Sequence, residues 1–535
     1  MSPNLSPSIG LTSSIAASER IHALDIVRGF ALIGIFLMNV EWFSRPIAEL
    51  GTGVDMSLSG INYFASWMIY TFVQGKFWTM FSLLFGMGFA VMLGRAQSAD
   101  RGFVTPYVRR IIGLFLFGSA HYVLVWTGDI LHNYAVTAIF LLLITTNSWR
   151  TSLALLLSFV ATGVAVYFTF GEDAVDPFGM YSVLLAVTLL LTFFLSRGPV
   201  SRYWKWGVAL YSLPFIIMLI VAGVGALKPK DVAKQPAAQE QSAQKKHSAA
   251  ASAAATAKVD ASKAEASKAG DGKSEKSKPK TAADKKKDEA TQRAENKAKR
   301  EKTRAEQIAI YTKGTYWASI VYRAKEYIED VTYAGGLSFG ALPMFLIGFW
   351  FVRSGVIGSI EQHLPLFRRL AITALPIGLL MTLASVSLNS SFLNADWDKP
   401  ATRLAQLLFR WGMMPQSIGY VALVICLLYT PLGKKLLSPL RHAGQMALTN
   451  YISANAIGMW FFSGYGLGYW GHVPRAGQVV FVAVVFALQM IFSWWWLSRF
   501  CYGPLEWLWR AITYWQVPPM RRSQTSEPAS STATA

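Results

Sequence analysis

Residues 110–147, RIIGLFLFGSAHYVLVWTGDILHNYAVTAIFLLLITTN, hold two apolar runs joined by a turn at Gly128 and Asp129. Each run approaches the roughly 20 apolar residues that a bilayer core requires, and the short connection makes them antiparallel neighbours. In hydrocarbon no water is present to bond backbone amides, so such runs are helices. Working outward, runs of similar kind occur at 23–41, 76–94, 151–170, 180–196, 204–226, 336–353, 369–388, 415–431, 445–464 and 476–498. With the hairpin runs at 110–127 and 130–147, the fold class is all-α: a polytopic transmembrane helical bundle of about 12 spans, range 10–12. The stretch 61–73 is too short to span and, with Lys76 close behind it, is expected to lie in the interface.

A net charge of +20 would suggest a nucleic-acid partner in a soluble protein. Its placement reads otherwise: nearly half lies in one segment expected to be a spacer between two membrane halves, with an anionic-polymer tether as the alternative. Residues 228–307 hold 21 Lys/Arg against 12 Asp/Glu with no Phe, Trp or Tyr, and so contribute +9. The remaining charges cluster between apolar runs and mark which loops face the cytoplasm. With the N-terminus inside, the cytoplasmic loops carry Arg95, Arg101, Arg109 and Arg110; Arg150; Arg197, Arg202 and Lys205; Arg353, Arg368 and Arg369; and Lys434, Lys435 and Arg441. The opposite loops carry Glu41, Glu49, Asp55, Glu172, Asp173 and Asp176. This alternation predicts an N-in/C-in, multi-pass protein of the cell inner membrane. The long basic loop falls on the non-cytoplasmic side, since loops beyond about 60 residues escape the rule.

The expected organisation is a disordered tail (1–20), a membrane region of about seven helices (21–227) and a low-complexity Ala/Lys/Ser/Glu insertion, mostly disordered (228–307). A second membrane region of about five helices with an amphipathic stretch (308–515) and a disordered tail (516–535) complete it. Inside the insertion, Glu289 with Arg293 and Glu295 with Lys299 stand four apart, so a solvated helix is expected from about Asp284. Cys426 and Cys501 lie in apolar or aromatic surroundings, which excludes a disulfide-rich domain and a cysteine metal site. Walker A, dinucleotide-binding, HExxH and GxSxG motifs are absent from the sequence, and no cluster has metal-ligand spacing.

Ionisable groups within spans are costly and are functional candidates, a paired structural role being the alternative. In LDIVRG (24–29), Asp25 and Arg28 stand three apart; they either neutralise each other or leave Arg28 to grip a phosphate-bearing ligand. Asn39 follows on nearly the same face. His121 needs a partner in its apolar run, and Asp129 stands where the chain turns back, so the pair is either structural or a general base with its orienting carboxylate. His132 and Asn133, past the turn, are secondary candidates. Lys76, in GKFWTMFSLLFGMG (75–88), is expected to snorkel to the outer boundary. Thr449 and Asn450, in GQMALTNY (444–451), suit helix packing with hydrogen bonds, and GPLEWLWR (503–510) suits an interfacial anchor.

Together with HYVLVWTGDIL (121–131), these blocks resemble the YeiB-like family of bacterial inner-membrane proteins, described as a domain of unknown function. Five blocks occur in order between residues 20 and 515, and the insertion carries none of them. That family is similar to a wider group of transmembrane acyltransferases, including the lysosomal heparan-alpha-glucosaminide N-acetyltransferase. The resemblance implies acyl transfer from cytosolic acyl-CoA, acetyl-CoA foremost, to a hydroxyl or amine of a glycan, lipid or small molecule at the outer face. On that reading Asp25, Arg28, Arg109 and Arg110 meet the donor. His121 serves as general base with Asp129 beside it, because the histidine that follows the first helix of the animal enzyme has no counterpart in residues 40–60. The bilayer is the environment, a homodimer is allowed, and neither a metal nor nucleic acid is expected. The competing expectations are a two-half transporter, for which no motif repeats between halves, and a non-catalytic scaffold.

Overall fold

A computed structural model describes residues 22–49, 51–171, 175–196, 198–227, 282–392, 395 and 399–522. The first membrane region forms α1 (His22–Asn39), α2 (Gly60–Phe72), α3 (Lys76–Ser98), α4 (Val104–Leu124), α5 (Leu131–Thr146), α6 (Trp149–Phe170), α7 (Asp176–Leu195) and α8 (Ser201–Leu227). There follow α9 (Ala282–Lys313), α10 (Tyr316–Thr332), α11 (Ser338–Arg353), α12 (Leu364–Leu388), α13 (Pro400–Leu428), α14 (Pro431–Leu437), α15 (Leu440–Gln445), α16 (Ala447–Phe462), α17 (Arg475–Arg499) and α18 (Pro504–Tyr514). Among the described residues there is no β-strand, only two isolated bridges. The protein is an all-α polytopic membrane bundle.

Nine stretches among the described residues are long and apolar enough to cross a membrane: 22–43, 60–98, 149–170, 176–195, 201–220, 334–353, 364–388, 400–428 and 475–499. Of the twelve expected spans, three are not in that set: α4, which carries Arg109, Arg110 and His121, and α5 and α16, each 16 residues long. Burial separates inner from outer helices. Two-thirds of the apolar window of α1 is buried, against 6% for α6, whose exposed face carries Leu157, Val164 and Phe168 as a lipid-facing surface does. One core gathers α1, α3, α13, α16 and α17; a second gathers α4, α5, α7 and α11.

Between α1 and α15 the backbones nearly touch. A Cβ on Gly29 would strike the Leu440 carbonyl, and one on Gly444 the Asp25 carbonyl. The glycines of LDIVRG and GQMALTNY thus belong to one small-residue crossing.

The segment expected to lie in the interface instead enters the bundle. At the start of α2, Asn62 Oδ1 accepts the Ala476 amide at the head of α17; at its end, the Phe72 carbonyl accepts the Tyr420 hydroxyl in the body of α13. The chain breaks at Val73–Gly75, where Gly75 has φ +81°, and resumes as α3. Helix ends inside a membrane must have their carbonyls satisfied by other groups. Lys76 Nζ donates to the Tyr70 carbonyl at 3.0 Å and Gln416 Nε2 to the Thr71 carbonyl at 3.4 Å. Lys76 therefore does not snorkel. It is fully buried, over the Phe409 ring at 4.1 Å, and caps the end of α2 through its hydrogen bond.

The chain divides into two compact units, residues 1–215 with 302–535, and residues 216–301. In the second, the described residues are the end of α8 and the first part of α9. The solvated helix expected from about Asp284 begins at Ala282 and includes the Lys297–Glu301 pair at 3.9 Å; its Ala, Lys, Glu and Arg residues are strong helix formers. The rest of the expected disordered insertion, 228–281, lies outside the described residues, as do the N-terminal tail and residues 523–535. Residues 517–522 were expected in a disordered tail. They are pinned instead: Met520 accepts the Cys501 amide at 2.9 Å, Pro518 accepts the Trp507 indole N–H at 2.8 Å, and Arg521 bridges to Phe500.

Candidate functional site

The α4–α5 hairpin builds the site. Gly118 on α4 lets the start of α5 approach, since a Cβ there would meet the His132 amide and the Asp129 carboxylate. Asp129 stands just ahead of α5, and its Oδ2 accepts the His132 backbone amide at 3.1 Å, where the helix dipole favours an anion. Its two oxygens also bond two imidazoles: His121 Nδ1 at 2.8 Å and His132 Nδ1 at 2.9 Å. All three side chains are fully enclosed.

Asn455 fixes the state of His121. Its side-chain oxygen accepts the Asn39 amide at 3.3 Å, so its NH₂ faces His121 Nε2 at 3.1 Å. Nε2 is therefore an acceptor, and Nδ1 carries the proton donated to Asp129. This is the tautomer a general base requires. On the other branch His132 Nε2 lies 3.2 Å from Asp330 Oδ2 and 3.0 Å from Asn133 Nδ2. Asp330 comes from α10, whose Arg323, fully buried, donates to the Val123 and Leu124 carbonyls at 2.8 and 3.1 Å and so caps α4.

A cavity of about 1290 Å³ leads toward this network. Its walls run along α1 from Leu24 to Ile35, along α3 from Ser98 back to Phe81, and along α4 from Phe103 to Leu114, and reach Ile130, Leu131 and Tyr451. The ring of Tyr451 lies 5.2 Å from that of His121. Near the helix ends the lining is basic: Arg28, Arg95, Arg101, Arg110, Arg353 and Arg510. Arg28 bonds Asp25 Oδ1 at 2.8 Å, and Gln445 donates to the other Asp25 oxygen at 3.2 Å. Arg110 lies over the Trp509 ring at 3.7 Å. Residues 516–519 close part of the wall.

The other candidates fall elsewhere. Arg109 does not line the cavity; it lies against Trp515, 5.4 Å from the ring. Thr449 donates its hydroxyl to Glu506 at 2.6 Å, and Asn450 donates to Ala443 and Ser493. Both secure the head of α16, where Glu506 Oε1 also accepts the Leu448 and Thr449 amides. Burial pushes the Glu506 carboxyl above its usual range despite these hydrogen bonds. Among the described residues no group of three or more His, Cys, Asp or Glu is arranged to hold a metal. Sequence reasoning missed Asn455, Tyr451, Asp330 and Arg323; only Asn455 carried a signal, as an amide inside an apolar run.

At the opposite end, Arg45 bonds Glu41 and Glu49, each at 2.7 Å, Arg475 bonds Glu41 at 2.8 Å, and Arg304 bonds Glu49 at 2.6 Å. Burial works to raise the Glu49 carboxyl, but hydrogen bonds from Arg304 and Arg45 outweigh it and hold the group below its usual range.

Residues 351–516 match a family described as "Protein of unknown function (DUF418)". The chain is similar to the uncharacterized protein YxaH of Bacillus subtilis, 28% identical over 521 residues that cover 93% of this chain and 96% of that protein. It is also similar to the uncharacterized protein YeiB of Escherichia coli, 24% identical over 504 residues, 92% and 96% of the two chains. An uncharacterized 39.9 kDa protein from Bacillus acidopullulyticus is 37% identical over 128 residues, 24% of this chain and 35% of that one. No solved structure matches the chain.

Proposed function

We propose that this YeiB-like membrane protein, which carries the DUF418 domain, transfers an acyl group from cytosolic acyl-CoA to a hydroxyl or amine acceptor at the outer face of the inner membrane. The observation that carries the reading is the cavity, arginine-lined near the helix ends and reaching Tyr451 beside His121. Arginines suit the phosphates of CoA, which they grip bidentately. Arg110 and His121 stand eleven positions apart on α4, about 16 Å of helix, a span on the scale of an extended pantetheine arm. Basic loops favour the cytoplasm, which supports an arginine-lined end on the side where acyl-CoA is found.

In this scheme an acceptor hydroxyl displaces Asn455 from His121 Nε2. The imidazole takes its proton as the oxygen attacks the thioester carbonyl, the bond from acyl carbon to sulfur breaks to release the CoA thiolate, and Asp129 holds the ring and stabilises its charged form. Assistance of this kind accelerates a reaction ~10²- to 10⁴-fold. The test is transfer in proteoliposomes from labelled acetyl-CoA: His121→Ala is expected to lose at least a hundredfold in rate while still binding CoA. Full transfer by that variant would defeat the mechanism.

A transporter is the second reading, and the α2–α3 break favours it, since carriers place substrates at interrupted helices. Here the three carbonyls at the break are occupied by Lys76, Gln416 and Tyr420. Uptake of a small molecule without covalent change would support the carrier.

A further inference from the structure

A carboxylate that only orients His121 needs no second imidazole, yet Asp129 divides its two oxygens between His121 and His132. His132 in turn reaches Asp330, whose side chain is 49% exposed while those of the three preceding members are wholly enclosed. The result is a continuous line of polar contacts: His121 Nε2 and Nδ1, Asp129 Oδ1 and Oδ2, His132 Nδ1 and Nε2, then the exposed Asp330 carboxylate. Its inner end lies beside the cavity and its outer end on α10, away from the arginine-lined rim.

We propose that His132 and Asp330 form a proton outlet, so that each acyl transfer releases a proton at the face where Asp330 is exposed. The inference rests on the acyltransferase reading. The acceptor hydroxyl loses its proton to His121 Nε2 as its oxygen bonds the acyl carbon. The proton on Nδ1 passes to Asp129; His132, with a carboxylate at each ring nitrogen, gives its Nε2 proton through Asp330 to water; and each imidazole then turns over, so that His121 again presents a bare nitrogen to the acceptor and His132 takes the proton held by Asp129. The bond from acyl carbon to sulfur breaks, and the departing CoA thiolate takes a proton from water on the arginine-lined side. Atoms and charge balance: acyl-thioester, alcohol and one proton from the donor side give ester, CoA thiol and one proton on the acceptor side. Turnover is therefore electrogenic.

The groups around the relay suit the role. Against the His132 ring stand Tyr122 of α4, centroids 5.8 Å apart, and Tyr327 of α10, 5.7 Å apart, with Asn133 at Nε2. Asp129 and Asp330 are the acids that face it, and Glu326 lies one helical turn before Asp330 on α10. Among the described residues, the side chains that bond His132 are Asp129, Asp330 and Asn133.

Proteoliposomes distinguish the outcomes. Labelled acetyl-CoA, which does not cross the bilayer, is added outside and selects molecules whose arginine-lined cavity faces out. Trehalose is trapped inside as an acceptor that offers only hydroxyl groups, with a pH-sensitive dye. The wild type is expected to acidify the lumen by about one proton per acetyl group transferred, and to slow under an inside-positive potential. Asp330→Asn is expected to lose about tenfold or more in rate, less than the ~10²- to 10⁴-fold of direct acid–base assistance, and Asp330→Glu to restore rate and acidification together. Transfer without lumenal acidification, or an Asp330→Asn variant that transfers and acidifies like wild type, overturns the outlet and leaves the acyltransferase standing. An absence of transfer to any hydroxyl or amine probe overturns the acyltransferase and the outlet with it.

Discussion

At the residue scale, the proposed acyl-CoA donor gives Arg28 a role that kinetics can test. Pairing with Asp25 leaves Arg28 31% exposed on the cavity wall. Arg28→Gln is expected to raise KM for acetyl-CoA about tenfold, the value of roughly 1.4 kcal/mol, with kcat nearly unchanged; steady-state kinetics would separate this from a fall in kcat. The Arg45 cluster makes a prediction about pH. Because the Glu49 carboxyl is held below its usual range in the folded protein, its stabilisation is present above the ordinary carboxylate range, about pH 4, and is lost as pH falls through the lower folded value. The Tm in detergent should drop over that acid window, and Arg45→Met should flatten the drop. His121, Asp129, Asn39 and Arg28 were legible in the sequence because a polar group in an apolar run signals itself. Asp330 and Asn455 meet the histidines from 198 and 334 residues away, and no local spacing encodes such a meeting.

At the element scale, the glycine crossing of α1 and α15 holds the cavity wall at Asp25 and Arg28. Gly444→Ala would press a methyl group on the Asp25 carbonyl and should cost about 1–3 kcal/mol as overpacking, readable as a lower Tm. The same displacement would move Asp25 and with it Arg28, so affinity for CoA should fall in parallel. Long apolar runs were readable as helices because length and composition are local properties. The fate of α2 was not: thirteen residues are too few to span, and only the partners supplied by Gln416, Tyr420 and Lys76 allow a helix to end within the bundle. Lys76 illustrates the difference, since a lysine that could reach an interface instead closes a carbonyl.

At the scale of the whole molecule, charge has been sorted by place. Six arginines line the cavity near the helix ends while the buried relay holds its acids and imidazoles apart from them. Attraction of a multiply charged donor to that rim is a long-range effect screened by salt, so KM for acetyl-CoA should rise steeply between about 50 and 300 mM salt, whereas the rate at saturation should change little. The chain also offers a way to watch the donor arrive. Cys501 is one of two cysteines in the sequence, and its backbone is tied to Met520 in the pinned segment whose neighbours at 516–519 wall the cavity. With Cys426 replaced by serine, a fluorophore on Cys501 becomes a reporter on that wall, and quenching or a spectral shift on addition of CoA would time the loading of the site separately from the chemistry that follows.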